Sequence, residues 1–327
     1  MRVGVLGAAR IVKAALLEPS RGIAGVEVTA IAARDRDRAV AGAERGGIPR
    51  VHGSYVELLA DPDIDAVYVP LPAALHARWT IAAIQAGKHV LCEKPFTSNS
   101  EAAQRVAHAA DGTDRRVMEA YHSHYHPLYG RLREILGSGE IGAVRSARAT
   151  FCIPIPPGRD IRWNPALAGG GLLDVGYYPV RILTELFGSS PKVTRARSWR
   201  QGEIDRRVEA TLRFDGEVTG EIVSSMWSSR LFSMGLKVVG DAGEMRVSFP
   251  YHPQMGTRIR VKSATGRRTE RTDARSTYSY QLEHFRDAVR SGGPVETDAA
   301  AAVLQMRTLD QIYLAAGMRP RSEAGID

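Results

Sequence analysis

The sequence predicts an α/β fold in two parts, a doubly wound parallel sheet over residues 1–120 followed by a second α/β part, built on a mostly antiparallel sheet, over residues 121–327. Three observations lead there. Strands and helices alternate through the first third, as parallel strands joined by right-handed crossovers require. The first strand runs straight into a small-residue turn and a helix. From about residue 141 the texture changes to longer strands joined by short turns such as Asp215-Gly216 and Asp241-Ala242-Gly243, the antiparallel signature.

In order, the opening strand Arg2-Val3-Gly4-Val5-Leu6 leads through Gly7-Ala8-Ala9 to a helix from near Arg10. Strands follow at 26–32, 66–69, 89–91 and 116–119, with helices at 38–45, 75–86 and 100–110. The second part reads as strands at 144–153, 193–199, 206–214, 218–226, 236–239 and 244–249, closed by helices at 279–290 and 298–315. A glycine-rich turn at Gly169-Gly170-Gly171 opens a further apolar helix through Leu186.

Composition bounds the function. With 327 residues, 44% hydrophobic and 24% charged, the chain has the make-up of a globular protein with a sizeable core. It has no apolar stretch of membrane-spanning length, and residue 2 already belongs to the first strand, so no membrane partner and no targeting peptide are expected. Cys92 and Cys152 lack metal spacing, which suits a reducing cytoplasm. The net charge of +8 comes from scattered arginines without a basic helix or aromatic platform, so small phosphate-bearing ligands or a solvated surface explain it better than nucleic acid.

Strand, small-residue turn and helix are the context of a dinucleotide fingerprint, the Rossmann motif G-x-G-x-x-G. Only Gly7 keeps its place, since Ala9 and Val12 stand at the second and third glycines, and an ordinary strand-to-helix turn fits as well. Such a turn with Ala can still bring a helix N-terminus to a pyrophosphate. Gly7, Ala8, Ala9, Arg10 and Ile11 are therefore the candidate contacts. The second strand ends in Ala33-Arg34-Asp35-Arg36, with Arg38 close behind. An acidic residue at this position binds the ribose hydroxyls of NAD, whereas an arginine accommodates a 2′-phosphate, so Arg34 and Arg38 point to NADP(H) in preference to NAD(H). A charged surface loop is the other reading.

Two further motifs carry chemistry. His89-Val90-Leu91-Cys92-Glu93-Lys94-Pro95 places a lysine between a carboxylate and a proline at a strand end, where open α/β sheets bind ligands. Proline disfavours the helical region for Lys94, and Glu93 can keep the ammonium charged and oriented. Beyond the glycine turn, Asp174 and Tyr178 stand four apart and share a helical face. Burying both without partners would be costly. An Asp favouring the helix dipole, with Tyr178 in the core, is the plainer alternative.

In combination, Glu93-Lys94-Pro95 and Gly169-Gly170-Gly171-x-x-Asp174-x-Gly176-x-Tyr178 resemble the glucose-fructose oxidoreductase and inositol dehydrogenase family. The segments Val69-Pro70-Leu71-Pro72-Ala73-Ala74-Leu75-His76, Glu119-Ala120 and His126-Pro127 extend the likeness over nearly the whole chain. The resemblance implies a Rossmann domain, then an α/β domain whose large, open, mostly antiparallel sheet often serves oligomerisation, here into a homodimer or homotetramer. It implies hydride transfer between a nicotinamide and a sugar or polyol, with Lys94, Asp174 and Tyr178 as the catalytic set. The cofactor would run along Gly7 to Ile11, Arg34, Arg38, Pro70, Leu71 and His76, with the nicotinamide beside Glu93 and Lys94. Ala73 and His124 depart from the asparagine and arginine of many relatives, so some contacts must differ. Val67 to Pro72 and Ile153 to Arg162 look most like the nucleotide-sugar 3-ketoreductases that build deoxysugars, while similar segments occur in xylose and dihydrodiol dehydrogenases.

Ketone reduction needs a hydride donor, a proton donor and positive charge for the forming alkoxide. Tyr178, with an ordinary pKa near 10, is the expected acid. Lys94 polarises the carbonyl, and Asp174 orients Lys94 or a substrate hydroxyl. The loop Pro156-Pro157-Gly158-Arg159-Asp160-Ile161-Arg162-Trp163 offers two guanidiniums for a diphosphate and an indole for a base or sugar ring. His122, His124 and His126 would share one face of an extended strand. Three imidazoles can hold zinc, but no second shell is announced. By resemblance this segment passes under the substrate cleft, where His124 or His126 touches substrate or satisfies the backbone, and no metal is expected. An oxidising sugar or dihydrodiol dehydrogenase and a non-catalytic binding protein on the same fold remain alternatives.

Overall fold

The structure, a computed structural model, describes residues 1–188 and 190–324. The chain divides into two compact units. The first comprises Met1–Thr97, Glu101–His124 and Tyr278–Val303, and the second Ser98–Ser100, Tyr125–Thr277 and the stretch from Leu304 onward. A linear division at residues 120 and 121 therefore misses the return of 278–303 to the first unit.

The first unit contains strands β1 (Arg2–Leu6), β2 (Glu27–Ala32), β3 (Arg50–Val51), β4 (Ala66–Val69), β5 (His89–Glu93) and β6 (Val117–Ala120). They form a fully parallel sheet in the order β3-β2-β1-β4-β5-β6, the Rossmann arrangement. β4 is buried at every position, as central parallel strands covered on both faces are. The crossovers carry helices α1 (Glu18–Ser20), which continues a π-wound turn over Lys13–Leu17, α2 (Arg36–Gly46), α3 (Tyr55–Ala60), α4 (Ala73–Gln85) and α5 (Ser100–Ala110). β3 and α3 were not foreseen. The strand has only two residues, and the helix is short, although Ser54 accepting from the Glu57 N–H at 3.1 Å marks its start.

The second unit begins with α6 (Pro127–Gly137) and holds β7 (Val144–Cys152), α7 (Tyr177–Phe187), β8 (Lys192–Gln201), β9 (Ile204–Arg213), β10 (Thr219–Ser225), β11 (Ser233–Gly240), β12 (Gly243–Ser248), β13 (Arg258–Ser263) and β14 (Gly266–Arg271). Its eight strands run in the order β14-β13-β12-β11-β7-β10-β9-β8, antiparallel except for the β7–β10 pair. β14 escaped the sequence reading because Arg267, Arg268, Glu270 and Arg271 leave it no apolar alternation, while β13 was missed although Arg258-Ile259-Arg260-Val261-Lys262 alternates. α7 packs on β7 and β10, burying Ala149, Ile222 and Leu236 on that side of the sheet. Helices α8 (Thr277–Ser291) and α9 (Ala299–Ala315) end the fold. Among the described residues no helix is long and apolar enough to cross a membrane.

Candidate active site

In the first unit the turn after β1 has the form a dinucleotide site needs. Gly7 adopts φ +117°, and a Cβ there would lie 2.9 Å from Leu71 Cδ2, so glycine serves both the backbone and the close approach of the loop after β4. Its N–H donates to Ala32 O at 2.7 Å, tying the turn to the end of β2. Ala8 and Ala9 complete the turn, and the helix starts at Ile11. At the end of β2 the side chains divide their work. Asp35 caps α2, accepting from the N–H groups of Asp37 at 3.0 Å and Arg38 at 3.2 Å. Arg34 is exposed, and the Arg38 guanidinium reaches toward Ala8 O at 3.5 Å. Asp35, the first acid after the strand end, is thus a helix cap, and Arg34 and Arg38 are exposed beside it.

Sequence reasoning missed Tyr55 and Trp79, whose rings meet edge to face at 4.7 Å. The Arg34 N–H donates to the Tyr55 hydroxyl, yet burial still raises the phenol above its ordinary value. An aromatic at the start of the helix after β3 was the available signal.

Lys94 is the only partly exposed residue in the buried run 90–98. The Lys94-Pro95 peptide is cis. Glu93 acts on the lysine through the backbone, with Oε2 accepting from the Lys94 N–H at 3.2 Å while Oε1 accepts from the Tyr68 hydroxyl at 2.6 Å. Burial, then the Glu93 charge, holds Tyr68 well above an ordinary phenol, so it stays a donor. Glu119, wholly buried, accepts from the Phe96 N–H at 3.0 Å.

His76 joins the two loops expected to flank the nicotinamide. Its Nδ1 lies 2.8 Å from Pro95 O and its Nε2 2.6 Å from Leu71 O. Burial outweighs the two carbonyl acceptors and holds the imidazole down to about 4, so at neutral pH it is uncharged and donates to one carbonyl. It ties the Leu71 carbonyl of the loop after β4 to the Pro95 carbonyl of the loop after β5. Because its folded-state pKa lies below the unfolded value near 6.5, its contribution to stability is complete above pH 6.5 and is lost as the pH falls toward 4. Urea unfolding between those limits should show a loss approaching about 3 kcal/mol, most of which His76→Gln removes. An equal slope in that variant would contradict the assignment.

In the second unit, Asp174 and Tyr178 stand on one continuous helical stretch that is π-wound over Leu172–Gly176 and α-helical from Tyr177. Such π-wound turns recur at functional sites. Tyr178 is 4% exposed and lies among the rings of Phe151 at 5.2 Å, Tyr251 at 5.5 Å and His252 at 5.8 Å. This aromatic surround is not visible in the sequence, since its members come from distant strands and loops.

Asp174 is engaged by Arg162, whose Nε donates to Oδ2 at 2.6 Å. The same guanidinium meets Asp160 Oδ1 at 3.2 Å and Oδ2 at 3.3 Å, and the Asp174 charge holds it above its ordinary value. Arg162, expected at a diphosphate, is thus engaged by two carboxylates, Asp160 and Asp174. Arg159 is the exposed guanidinium of that loop, and Trp163 is half-buried. Accordingly Arg162→Ala should lower kcat about tenfold with little change in KM, while Arg159→Ala should raise KM. Steady-state kinetics on both variants separate the two, and the reverse pattern would restore the diphosphate role to Arg162.

The histidine cluster does not share an extended face, because residues 122–125 form turns. His122 packs against Tyr278 at 4.3 Å, and His124 Nε2 lies 2.6 Å from Glu296 Oε2. His126 caps α6 by accepting from the Leu128 N–H at 3.1 Å, and its Nε2 lies 3.1 Å from Asp273 O. Among the described residues no group of three or more His, Cys, Asp and Glu side chains could hold a metal ion.

Comparison with known proteins places these features in one class. Residues 1–121 match the oxidoreductase family with an NAD-binding Rossmann fold, and residues 129–246 match the GFO/IDH/MocA C-terminal domain. The chain is 35% identical to D-xylose 1-dehydrogenase (NADP(+)) 2 of Haloferax volcanii, covering 96% of each chain. It is 34% identical to dTDP-3,4-didehydro-2,6-dideoxy-alpha-D-glucose 3-reductase of Streptomyces violaceoruber, covering 97% of this chain and 95% of that one. A 3-ketoreductase of Actinomadura kijaniata, crystallised with NADP and TDP-benzene, superposes with a TM-score of 0.90 at 30% identity, covering 96% and 97%. The chain belongs to the GFO/IDH/MocA family and is an oxidoreductase.

Proposed function

We propose that the protein is an NADP(H)-dependent reductase of a ketone on a sugar, a 3-keto-deoxysugar carried on a nucleoside diphosphate. The observation that carries the reading is the end of β2, where Asp35 is a cap and Arg34 and Arg38 are left for a 2′-phosphate, in a chain related over its full length to a dTDP-keto-deoxysugar 3-reductase. The Gly7 turn, the helix start at Arg10 and Ile11, Pro70 and Leu71 fit the rest of a dinucleotide. When bound, the nicotinamide supplies the hydride. Lys94 holds a positive charge toward the carbonyl oxygen as negative charge grows there, and Tyr178 gives it a proton. Asp174, fixed by Arg162, orients a substrate hydroxyl. Arg159 and Trp163 receive the nucleotide portion, with His124 and His126 at the margin of the sugar site.

The open face of the second sheet supports a homodimer or homotetramer. On the side away from α7, Arg148, Glu221, Lys237 and Arg246 stand in one row across β10, β7, β11 and β12. Both cysteines are free and buried, in keeping with work in the cytoplasm.

The test is NADPH oxidation with a dTDP-linked 3-keto-deoxysugar, compared with NADP⁺ reduction by D-xylose and by a trans-dihydrodiol. The expected result is turnover of the nucleotide sugar, weakened by salt because the contacts are ionic. Turnover of xylose or the dihydrodiol alone would transfer the protein to the dehydrogenases.

A further inference from the structure

The three-glycine turn that opens the helix of Asp174 and Tyr178 closes around a side chain to which no role has yet been given. Asp205, near the start of β9, is wholly buried. Its Oδ2 accepts from the Leu172 N–H at 2.6 Å, and its Oδ1 accepts from the Tyr313 hydroxyl at 3.2 Å and from Arg321 Nη2 at 2.5 Å. Gly170 sits at φ +151°, and a Cβ there would lie 2.4 Å from Asp205 Oδ1 and 2.9 Å from the Tyr313 hydroxyl. A Cβ on Gly171 would lie 2.9 Å from Asp205 O. Gly170 is glycine because the carboxylate and its partners fill the space around it, and Gly171 because the β9 backbone lies against it.

Arg321 comes from the chain's tail beyond α9. It is itself buried, donates through Nη1 to Glu203 O at 2.9 Å, and lies over the Tyr313 ring at 5.1 Å. Gln305, also on α9, donates to Tyr177 O at 3.1 Å, beside Tyr178. The tail and the last helix thus hold the start of the catalytic stretch at two points. The Leu172 N–H is one of the donors that a helix start leaves without an intrahelical partner, and a carboxylate from another element satisfies it here. Because both charges are buried, removing either leaves the other uncompensated, and the turn must move to relieve it.

We infer that Asp205 and Arg321 are positioning residues for the reaction: their buried pair sets the start of the helix that presents Asp174 and Tyr178. The inference rests on the proposed roles of those two residues. It makes the C-terminal tail part of what keeps the reacting groups in place, and a small misplacement there is expressed in turnover more than in cofactor binding.

The test compares full-length Asp205→Asn, Arg321→Met, Arg321→Lys and Tyr178→Phe with the parent enzyme. Substrates are NADPH, its 4-deuterated form and the dTDP-linked 3-keto-deoxysugar. Backbone hydrogen exchange is followed over residues 170–178. Asp205→Asn and Arg321→Met should lower kcat by about 30-fold, leave the NADPH Kd within about twofold and raise the deuterium isotope effect on kcat, while Arg321→Lys recovers to within about fivefold. Exchange over 170–178 should quicken by at least about tenfold in the two damaged variants. A purely structural role would lower the folded fraction without changing the isotope effect. If Asp205→Asn does not fold, Tyr313→Phe, which removes one hydroxyl, should show the same pattern at smaller amplitude. Unchanged exchange, or parental kcat in folded variants alongside an impaired Tyr178→Phe, would overturn the inference. Parental kcat in Tyr178→Phe itself would instead overturn the acid role, with the exchange result still judging the brace.

Discussion

Replacing Tyr178 by phenylalanine or Lys94 by alanine lowers kcat for ketone reduction by roughly 10² or more and leaves NADPH affinity close to the parent value. In the proposed roles the two side chains act on charge that exists only in the transition state, so their loss should be felt in turnover and not in ground-state binding. Tyr178 is held among Phe151, Tyr251 and His252 and is 4% exposed, so water cannot readily take over its proton. Phenylalanine keeps the ring in that aromatic surround, so a loss of turnover reports the hydroxyl. Lys94 is partly exposed while its neighbours are buried, and its backbone N–H donates to Glu93. Steady-state kinetics with a fluorescence titration of NADPH check both. Near-parental turnover in Tyr178→Phe would remove it from the acid role.

Arg34→Asp reverses the cofactor preference. In the parent, NADPH should bind more tightly than NADH by about 1 to 3 kcal/mol, the worth of a charge-assisted contact to the 2′-phosphate. Aspartate at the same exposed position repels that phosphate and offers acceptors to the ribose hydroxyls of NADH. Asp35 does not compensate in either form, because it is engaged as the cap of α2. Arg38 retains part of the attraction, so Arg34→Asp with Arg38→Ala should give the larger reversal. Equal Kd values for the two cofactors in the parent would defeat the assignment.

The parallel sheet and the long antiparallel strands were legible because their signals are periodic and local. β4 and α5 fall at the predicted residues, 66–69 and 100–110. The elements that escaped include β3, with only two residues, and β14, whose arginines and glutamate leave no apolar pattern. Of the candidate site, the residue types at Gly7, Arg34, Lys94, Asp174 and Tyr178 could be read from motif and position. Their partners could not. The Asp205–Arg321 pair and the rings around Tyr178 join residues far apart in sequence, and even for Asp174, whose partner Arg162 lies 12 residues away, only the fold decides which of many arginines or aromatics arrives. The histidine cluster misled for a related reason: alternate spacing fixes a common face only on a strand, and residues 122–125 turn instead.

The central claim, hydride delivery to a keto-sugar carbon with proton delivery by Tyr178, is tested most directly by following the label. The enzyme is incubated with 4-deuterated NADPH and a dTDP-linked 3-keto-deoxysugar, and the product is examined by NMR. One deuterium is expected at the new carbinol carbon, in a single configuration, with formation of the labelled product suppressed in Tyr178→Phe. A product labelled elsewhere, no transfer of label, or equal transfer in Tyr178→Phe would contradict it.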